Sequence, residues 1–162
     1  MDKPFYALDN FDAQSSIGCL LRRLTNLSTP RAEACFADQD LSFSHWVLLV
    51  CVRDGIARTC ADMARHMNFD SGATTRLADH LEKRGLLTRN RSTTDRRVVH
   101  LALTDEGRAV AAAMAPRLMD FWNTVLEGFS HAESAMLIAL LTRLLGRMEK
   151  MPVETEAKDA AA

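Results

Sequence analysis

The stretch DRRVVHLALTDEG, residues 95–107, contains a charged turn, an alternating strand and the start of a helix in direct succession. Val99, Leu101 and Leu103 fall on one face of a period-two pattern, which predicts a strand that is anchored on a core. The two arginines of this stretch precede the strand and lie in its turn. We therefore expect a β-hairpin with a basic tip, a wing, that is free to contact a polyanion such as DNA.

Three short helices are predicted upstream of the wing. Ser42 caps the first, and Thr59 begins a capping box for the second, which is barely two turns long. Asp70 or Ser71 caps the third helix, whose first turn has small and hydroxylated side chains followed by Arg76. Such a turn is thin enough to enter a DNA groove. Helices, a tight turn, a further helix and a two-stranded ribbon together predict a winged helix-turn-helix.

Long amphipathic helices are predicted on both sides of this region. Leucines recurring at helical spacing indicate a first helix from about residue 11 to the break near Pro30 or a little beyond. Ser130 begins a capping box ahead of a second apolar stripe that extends to Met151. We expect these two faces to pack together or against a second copy of the chain. Thr104 caps an alanine-rich helix between them.

Pro116 lies inside that alanine-rich helix, where it predicts a kink or a restart. Residues 152–162 have alternating charges and end in three alanines, which predicts a disordered tail.

Composition limits the classes of protein that fit. With 162 residues, of which 48% are hydrophobic, the chain fits one domain with an oligomerisation device. The net charge of −1 argues against nucleic acid at first sight, but residues 76–97 hold seven basic and three acidic side chains. It is the local field that attracts phosphates, so this basic patch favours a nucleic-acid partner.

Four irregularly spaced cysteines, with no signal peptide before them, predict a protein of the reducing cytoplasm. No apolar run approaches the roughly 18 residues of a membrane-spanning helix, so no membrane partner is expected. The histidines and cysteines lack chelating spacing, which predicts no metal site and no cofactor. Because the chain has no GxSxG, no phosphate-binding glycine loop and no paired His and acid at catalytic spacing, no enzymatic activity is expected.

Four motifs resemble the MarR family of winged-helix transcriptional regulators, in that family's order and spacing. They are LSFSHW (residues 41–46), DSGATTRL (70–77), LEKRGLL (81–87) and DRR with LALTDEG (95–97 and 101–107). The resemblance is dense from about residue 41 to 108. It implies a mainly α fold with a small β-wing, and a homodimer in which the terminal helices interlock while two lobes straddle a pseudo-palindromic site. The domain boundaries expected on this basis are 1–37 for an N-terminal dimerisation helix, 38–108 for the winged domain, 109–151 for C-terminal dimerisation helices and 152–162 for the tail.

The expected partner of the winged domain is double-stranded DNA. The first turn of the third short helix would enter the major groove, and a wing arginine would enter the minor groove. Simple helix capping and a solvated hairpin are the alternatives. By resemblance, Asp95 and Arg97 form a structural clamp that leaves Arg96 or Arg91 nearer the DNA, although the sequence does not assign each arginine. The expected DNA-binding residues are Ser71, Gly72, Thr74, Thr75, Arg76, Arg91, Asp95, Arg96 and Arg97.

The resemblance also implies a small-molecule effector, often an aromatic or phenolic carboxylate, bound between the dimer helices and the winged lobe. Candidate residues for stacking a ring and neutralising an anion are Arg22, Arg23, His45, Trp46 and Arg53. Trp46 is alternatively a core residue, and the first-helix arginines alternatively pair with acids across a dimer. We expect effector binding to release a repressor from its operator.

Two further functions fit the same fold. Cys19 lies near the position of the reactive cysteine in the hydroperoxide-sensing branch of the family, which would make the protein a thiol-based redox sensor. That branch supplies tyrosines around the thiol, whereas Tyr6 is the only tyrosine here. The other alternative is an architectural DNA-binding protein without sequence specificity.

Overall fold

Helices dominate the computed structural model, which describes residues 4–9 and 11–152. The residues of the predicted tail from 153 on lie outside the described part. The elements in chain order are α1 (Ile17–Ala34), a 3-10 turn (Ala37–Gln39), α2 (Phe43–Arg53), α3 (Cys60–Met67), α4 (Ser71–Lys83), β1 (Leu87–Arg91), β2 (Val99–Leu103), α5 (Asp105–Val125) and α6 (His131–Met148). A mainly α fold with a small two-stranded wing is thereby confirmed.

Side-chain caps define where the helices begin. The hydroxyls of Ser42, Thr59 and Ser130 each accept a hydrogen bond from the backbone N–H three residues on, and the third residue bonds back in each case. At α5, the hydroxyl of Thr104 accepts from the N–H of Gly107 at 2.9 Å. These caps satisfy N–H groups that a helix start leaves unpaired, and they confirm the four starts predicted from sequence.

The predicted start of the first helix is wrong. It lies at Ile17 rather than near residue 11, because Ser16 caps the helix and the Tyr6 hydroxyl accepts from the Ile17 N–H at 2.9 Å. The helix ends at Ala34, a little beyond Pro30 as predicted. Of the kink or restart expected at Pro116, the restart does not occur, since α5 is continuous through that residue, and the kink stays a prediction. Both prolines lie on exposed faces of their helices, where the carbonyl groups that lose an N–H partner are accessible to solvent.

The core lies between the end of α1, helices α2 to α5 and the base of the wing. Its largest fully buried side chains include Phe36, Leu48, Leu81 and Met114. Phe36 also stacks with two half-buried aromatic rings of α2, with centroids 6.1 Å from Trp46 and 6.2 Å from Phe43. The indole N–H of Trp46 donates to the carbonyl of Ala111 in α5 at 3.2 Å. Trp46 therefore packs as a core residue and joins α2 to α5.

The wing is an antiparallel pair in which Leu87 faces Leu103 and Arg91 faces Val99. Leu101 and Leu103 are buried, as the period-two pattern predicts. The N–H of Leu101 donates to the carbonyl of Arg58 at 2.8 Å, so β2 is also attached to the segment between α2 and α3. This attachment fixes the base of the wing on the helical core.

The chain forms two compact units, of which the first ends at Phe121 and the second begins at Trp122. The winged region lies wholly in the first unit, and α6 in the second. The domain boundaries expected at 37/38 and 108/109 concern function, and they remain a prediction. Among the described residues, no helix is long and apolar enough to span a bilayer.

Candidate nucleic-acid interface

The first turn of α4 presents polar side chains to solvent. Asp70 caps the helix, with Oδ1 accepting from the Ala73 N–H at 2.8 Å, while Ser71, Thr75 and Arg76 are exposed. A methyl group added at Gly72 would lie 3.5 Å from Nη1 of Arg76, so the arginine lies across the glycine. The small side chains keep this turn narrow, and the guanidinium is available on its surface.

Thr74 is a correction to the expected DNA contacts. Its side chain is 0% exposed and belongs to the core, and its hydroxyl donates to the Asp70 carbonyl at 3.0 Å. Because α4 has about 3.6 residues per turn, Thr74 shares a face with the buried Ala78 and Leu81 rather than with Thr75. Sequence reasoning treated the hydroxylated run as uniformly exposed, and the helical period divides it between core and solvent.

The turn of the wing is held by hydrogen bonds to two side chains. Ser92 Oγ accepts from the N–H groups of Thr94 and Asp95, each at 3.2 Å. Asp95 Oδ1 accepts from the backbone N–H of Arg97 at 3.0 Å. Asp95 and Arg97 thus interact as the resemblance implies, but through the arginine backbone, and the guanidinium is left out of the clamp. Asp95 shapes the turn, and within residues 4–9 and 11–152 its carboxylate forms no ion pair with the exposed side chains of Arg96 and Arg97.

Ion pairs divide the basic patch into two groups. Arg84 bonds the carboxylate of Asp40 at 3.2 Å, and Arg89 is paired with Asp79 and Glu82 of α4. In residues 4–9 and 11–152, no ion pair is found for the other arginines of the patch. The free cations at the tip of the wing and the start of α4 are Arg76, Arg91, Arg96 and Arg97.

Sequence reasoning missed that Arg89 and Arg84 are structural. Arg89 was counted only as part of the patch, yet its Asp79 hydrogen bond raises its pKa and its side chain is only 23% exposed. The sequence did indicate such a role, because Asp79 and Glu82 are three residues apart and share one helix face, where they can pair with a nearby arginine. Nothing local pairs Arg84 with Asp40, which lies 44 residues earlier.

The expected effector residues have different surroundings, and as one site they stay a prediction. Arg22 and Arg23 are exposed on the first half of α1, whereas Arg53, at the end of α2, pairs with Asp54 at 2.8 Å. Trp46 has its ring stacked in the core. Burial lowers the pKa of His45 to about 4, so this side chain is neutral at neutral pH and cannot balance an anion.

A cavity of about 240 Å³ lies elsewhere in the first unit, between the 3-10 turn and α5. Its walls are mostly apolar, with Val110, Ala113 and Met114 on α5 and Gln39 and Arg117 at the polar side. Arg117 binds Asp38 through both nitrogens of its fork, with Nη2 to Oδ2 at 2.9 Å, and this contact lowers the pKa of Asp38 to about 2. The guanidinium is therefore already compensated in the structure.

Cys19 is half-buried in the first turn of α1. Its backbone N–H donates to the capping hydroxyl of Ser16 at 3.3 Å, and the Tyr6 hydroxyl bonds the same turn through Ile17. The redox hypothesis for Cys19 stays a prediction. Over the described ranges, no group of three or more His, Cys, Asp or Glu side chains is arranged to hold a metal ion.

Two short helices leading into α4, followed by a two-stranded wing with free arginines, define a winged helix-turn-helix DNA-binding protein. The family model described as "MarR family" matches residues 41–99. Residues 41–99 thus form a MarR-family domain, and members of this family are transcriptional regulators and not enzymes. The protein is accordingly a DNA-binding transcriptional regulator.

Relatives with sequence similarity share this class. YdgJ of Bacillus subtilis strain 168, an HTH-type transcriptional regulator, is 30% identical over 112 residues, which cover 69% of this chain and 66% of YdgJ. The transcriptional repressor MprA of Escherichia coli K12 is 35% identical over 77 residues, covering 48% of this chain. This chain thus spans just under two thirds of YdgJ and less than half, 44%, of MprA.

Solved structures agree on the fold. Bordetella bronchiseptica BpsR, a protein whose DNA binding is regulated by 6-hydroxynicotinic acid, matches with a TM-score of 0.74 and 25% identity over 83% of this chain and 96% of BpsR. A mutant of E. coli MarR complexed with operator DNA has a TM-score of 0.71 at 22% identity, covering 83% of this chain and 99% of that chain.

Proposed function

We propose that the protein is a homodimeric repressor that binds a pseudo-palindromic operator and is released from it by a small aromatic or phenolic carboxylate. The observation that supports DNA recognition most directly is the division of the basic patch. Arg84 and Arg89 form ion pairs within the fold, while Arg76 at the start of α4 and Arg91, Arg96 and Arg97 in the wing have no ion pair among the described residues. Two free basic tips on one lobe fit simultaneous contact with two adjacent grooves.

For the major groove, we propose Ser71, Gly72, Thr75 and Arg76. Arg76 has the five-donor fork that fits a guanine edge or a phosphate, and the thin first turn allows close approach. The Thr75 hydroxyl donates to the Ser71 carbonyl at 2.9 Å, so it meets DNA as an acceptor or through its methyl group. Thr74 is excluded from this set because it is buried.

For the minor groove, we propose a wing arginine. Asp95 and Ser92 hold the turn rigid, so the arginines of the wing begin from a fixed backbone. Narrow A·T-rich minor grooves concentrate negative potential and attract arginine. The backbone of Arg97 is held by the bond from its N–H to Asp95, so we assign the minor groove to Arg97. Arg96 and Arg91 would then contact the flanking phosphates.

The dimer proposal is supported by apolar faces that each unit leaves exposed. In α1, Leu20, Leu24 and Leu27 are exposed, and in α6 so are Leu141 and Leu145. Exposed patches of this kind mark interaction surfaces. We assign them to a second copy of the chain, because two lobes reading a pseudo-palindrome need a two-fold axis between them. On this proposal, residues 1–37 and 109–151 build the dimer and 38–108 read DNA.

The effector proposal is supported by the cavity beside α5 and by BpsR, whose ligand is a hydroxylated aromatic carboxylic acid. The apolar wall fits a ring, and Arg117 fits a carboxylate if the acid displaces Asp38. Effector binding would then loosen the joint between the 3-10 turn and α5. Loosening this joint shifts the distance between the two α4 helices of the dimer only if the effector binds one of the two spacings more tightly than the other.

Selection of duplexes from a random-sequence pool tests the DNA proposal. We expect enrichment of a pseudo-palindrome with half-sites about one helical turn apart. Uniform binding of the pool would support an architectural protein instead. Aromatic acids such as 6-hydroxynicotinic and salicylic acid are then added to the complex with the selected duplex. Release by such acids supports the effector class, whereas release by hydroperoxide, prevented in Cys19→Ser, would support redox sensing.

A further inference from the structure

We propose that Arg89 is the residue that sets the position of the wing relative to the recognition helix α4, so that the two proposed groove contacts are made together. This inference rests on the proposed function, because it assigns Arg89 a role in specific DNA recognition. Arg89 does not contact DNA on this proposal. It acts through the residues that do, as a positioning residue.

The contacts of Arg89 span the gap between two elements that share no backbone hydrogen bond ladder. From the middle of β1, Nη1 bonds Asp79 Oδ1 and reaches Glu82 Oε2 at 3.1 Å, while Nη2 donates to the Thr75 carbonyl at 3.3 Å. Residues 75, 79 and 82 lie four and three apart, so they form one stripe along α4. One planar fork therefore holds the helix at three successive points.

The place where the fork holds α4 matters for recognition. Thr75 is itself a proposed major-groove residue, and its carbonyl is fixed by Arg89 while its hydroxyl remains at the surface. On the wing side, Arg91 follows Arg89 by two residues and so lies on the same face of β1, further towards the tip. Arg89 thus links a proposed major-groove residue, through one hydrogen bond, to the strand that carries a free cation of the wing two residues further on.

A second attachment limits how the wing can move. The Leu101 N–H donates to the Arg58 carbonyl at 2.8 Å, and Leu101 faces Arg89 across the strand pair. This bond holds the base of the wing, and by itself it allows rotation about that base. The Arg89 fork bonds a different helix at the same level of the ladder. Two attachments at one level, to different elements, fix the angle of the wing.

The low exposure of Arg89 indicates that its guanidinium makes contacts within the winged lobe rather than with DNA. The Arg89 side chain is 23% exposed, whereas Arg91 is an exposed residue, and the charge of Arg89 is already matched by two carboxylates. A compensated guanidinium contributes little to phosphate binding. Loss of Arg89 should therefore reduce discrimination between DNA sequences, whereas loss of a phosphate-binding cation reduces affinity for all of them. Recognition sites tolerate displacements of only about 0.5 Å and 10–20°.

A neutral replacement of the whole network tests this role. Simple removal of Arg89 would leave two unpaired acids near DNA, and their repulsion would mimic a positioning defect. The test variant is therefore Arg89→Met with Asp79→Asn and Glu82→Gln, which removes the fork without exposing acids. The matched control is Arg91→Met, on the same face of the same strand. Affinities are measured over a salt series for a duplex selected by the wild-type protein and for a scrambled duplex.

We expect the triple variant to lose about tenfold or more in affinity for the selected duplex, with affinity for the scrambled duplex unchanged or slightly raised. The ratio of the two affinities falls, and the salt slope stays the same. Arg91→Met is expected to weaken both duplexes and to reduce the salt slope by about 1. An unchanged ratio in the triple variant overturns the inference, and so does a reduced salt slope there, since that would make the network a DNA contact.

Arg89→Lys provides a second test should the triple variant fail to fold by circular dichroism. Lysine keeps the charge but cannot bond both acids and the Thr75 carbonyl as a fork, so an intermediate ratio is expected. A wild-type ratio in this variant overturns the inference. Failure of the wild-type protein to select any sequence would overturn the proposed function, and this inference with it. Selection by wild type with undiminished discrimination by the variants refutes the positioning role alone.

Discussion

The imidazole rings of His45 and His80 face each other with centroids 4.5 Å apart, and they join the start of α2 to the recognition helix. Nδ1 of His45 accepts from the Ser42 N–H at 2.9 Å, which requires that nitrogen to be unprotonated. The groups around the pair are Asp40 and Arg84, and His80 Nε2 is 3.3 Å from the Asp40 carbonyl. A proton on His45 would break its cap and place positive charge beside His80 and Arg84.

This arrangement predicts a loss of stability in mild acid. Burial, with the charge of His80 second, lowers the pKa of His45 to about 4 from an ordinary value of 6.5. The unfolded chain therefore binds more protons between these two values. The stabilisation from neutral His45 is complete above pH 6.5 and is lost as the pH falls towards 4. We expect that loss to be on the order of 2 kcal/mol in the free energy of unfolding.

Urea unfolding at pH 7 and pH 4.5 measures this effect. In His45→Asn the difference between the two pH values should shrink by the amount attributed to His45, because asparagine accepts the Ser42 N–H without titrating. His66→Asn, a change at an exposed histidine of α3, is the control and should behave like wild type. An equal pH difference in His45→Asn and wild type would show that the prediction is wrong.

Gly107 is predicted to be essential for folding. A Cβ at this position would lie 1.9 Å from the carbonyl oxygen of Leu86 and 2.9 Å from its carbonyl carbon. Because these are backbone atoms at the start of the wing, no side-chain rotation can relieve the clash. Gly107→Ala should lower the free energy of unfolding by about 3 kcal/mol or more. Chemical unfolding monitored by circular dichroism measures it.

Gly18→Ala is the matched control for that substitution. Its Cβ would meet nothing within 4 Å, and alanine favours a helix over glycine by up to about 1 kcal/mol. The control should therefore be neutral or stabilising in the chain. Equal stability of Gly107→Ala and wild type would mean that α5 does not approach Leu86 as the structure has it.

Sequence alone could predict what depends on neighbours in the chain. The caps at Ser42, Thr59 and Ser130 and the buried leucines of β2 follow from spacings of two to four residues, and all of them were predicted. The His45 and His80 pair and the Arg84 and Asp40 pair join residues 35 to 44 apart, where no local pattern acts. The misassigned Thr74 shows a third limit, because composition marks a run as polar without deciding which helix face it occupies.

The wing arginines are predicted to act as separate cations. Each of Arg91, Arg96 and Arg97 lacks an ion pair within the described ranges, so each can release a counterion when it binds DNA. Replacing Arg96 or Arg97 with Met should weaken binding to the selected duplex and flatten the plot of log affinity against log salt by about 1. Gel shift titrations at several salt concentrations measure these affinities.

Arg108→Met is the control for these variants. Arg108 bonds Asp105 at 2.7 Å in the first turn of α5, so its charge is already paired. Its loss should leave the salt slope unchanged. An unaltered slope in both wing variants would count against the wing as a DNA contact.

The exposed leucines of α6 are predicted to hold two copies of the chain together. Leu141 and Leu145 lie four residues apart on one face, and replacing both with Glu would place charges inside an apolar interface. We expect the particle mass, measured by sedimentation equilibrium, to fall from twice the chain mass to 18.0 kDa. Affinity for a pseudo-palindromic duplex should fall in parallel.

Ala139→Glu tests whether charge alone causes dissociation. Ala139 is exposed and lies two residues before Leu141, on the opposite side of α6 from the leucine face, so this variant should remain dimeric. A wild-type protein that sediments as a monomer would refute the dimer, and a dimeric double variant would place the interface elsewhere.

The bond between the Trp46 indole and the Ala111 carbonyl gives the molecule an internal optical reporter. Indole emission shifts to longer wavelength when the ring meets water, so any rearrangement of α5 against α2 should redden the signal from Trp46. The chain has one other tryptophan, Trp122, and replacing it with Phe leaves a single emitter. In that variant, the emission maximum of Trp46 shows whether a candidate acid or an operator duplex moves α5 against α2, with no label attached to the protein.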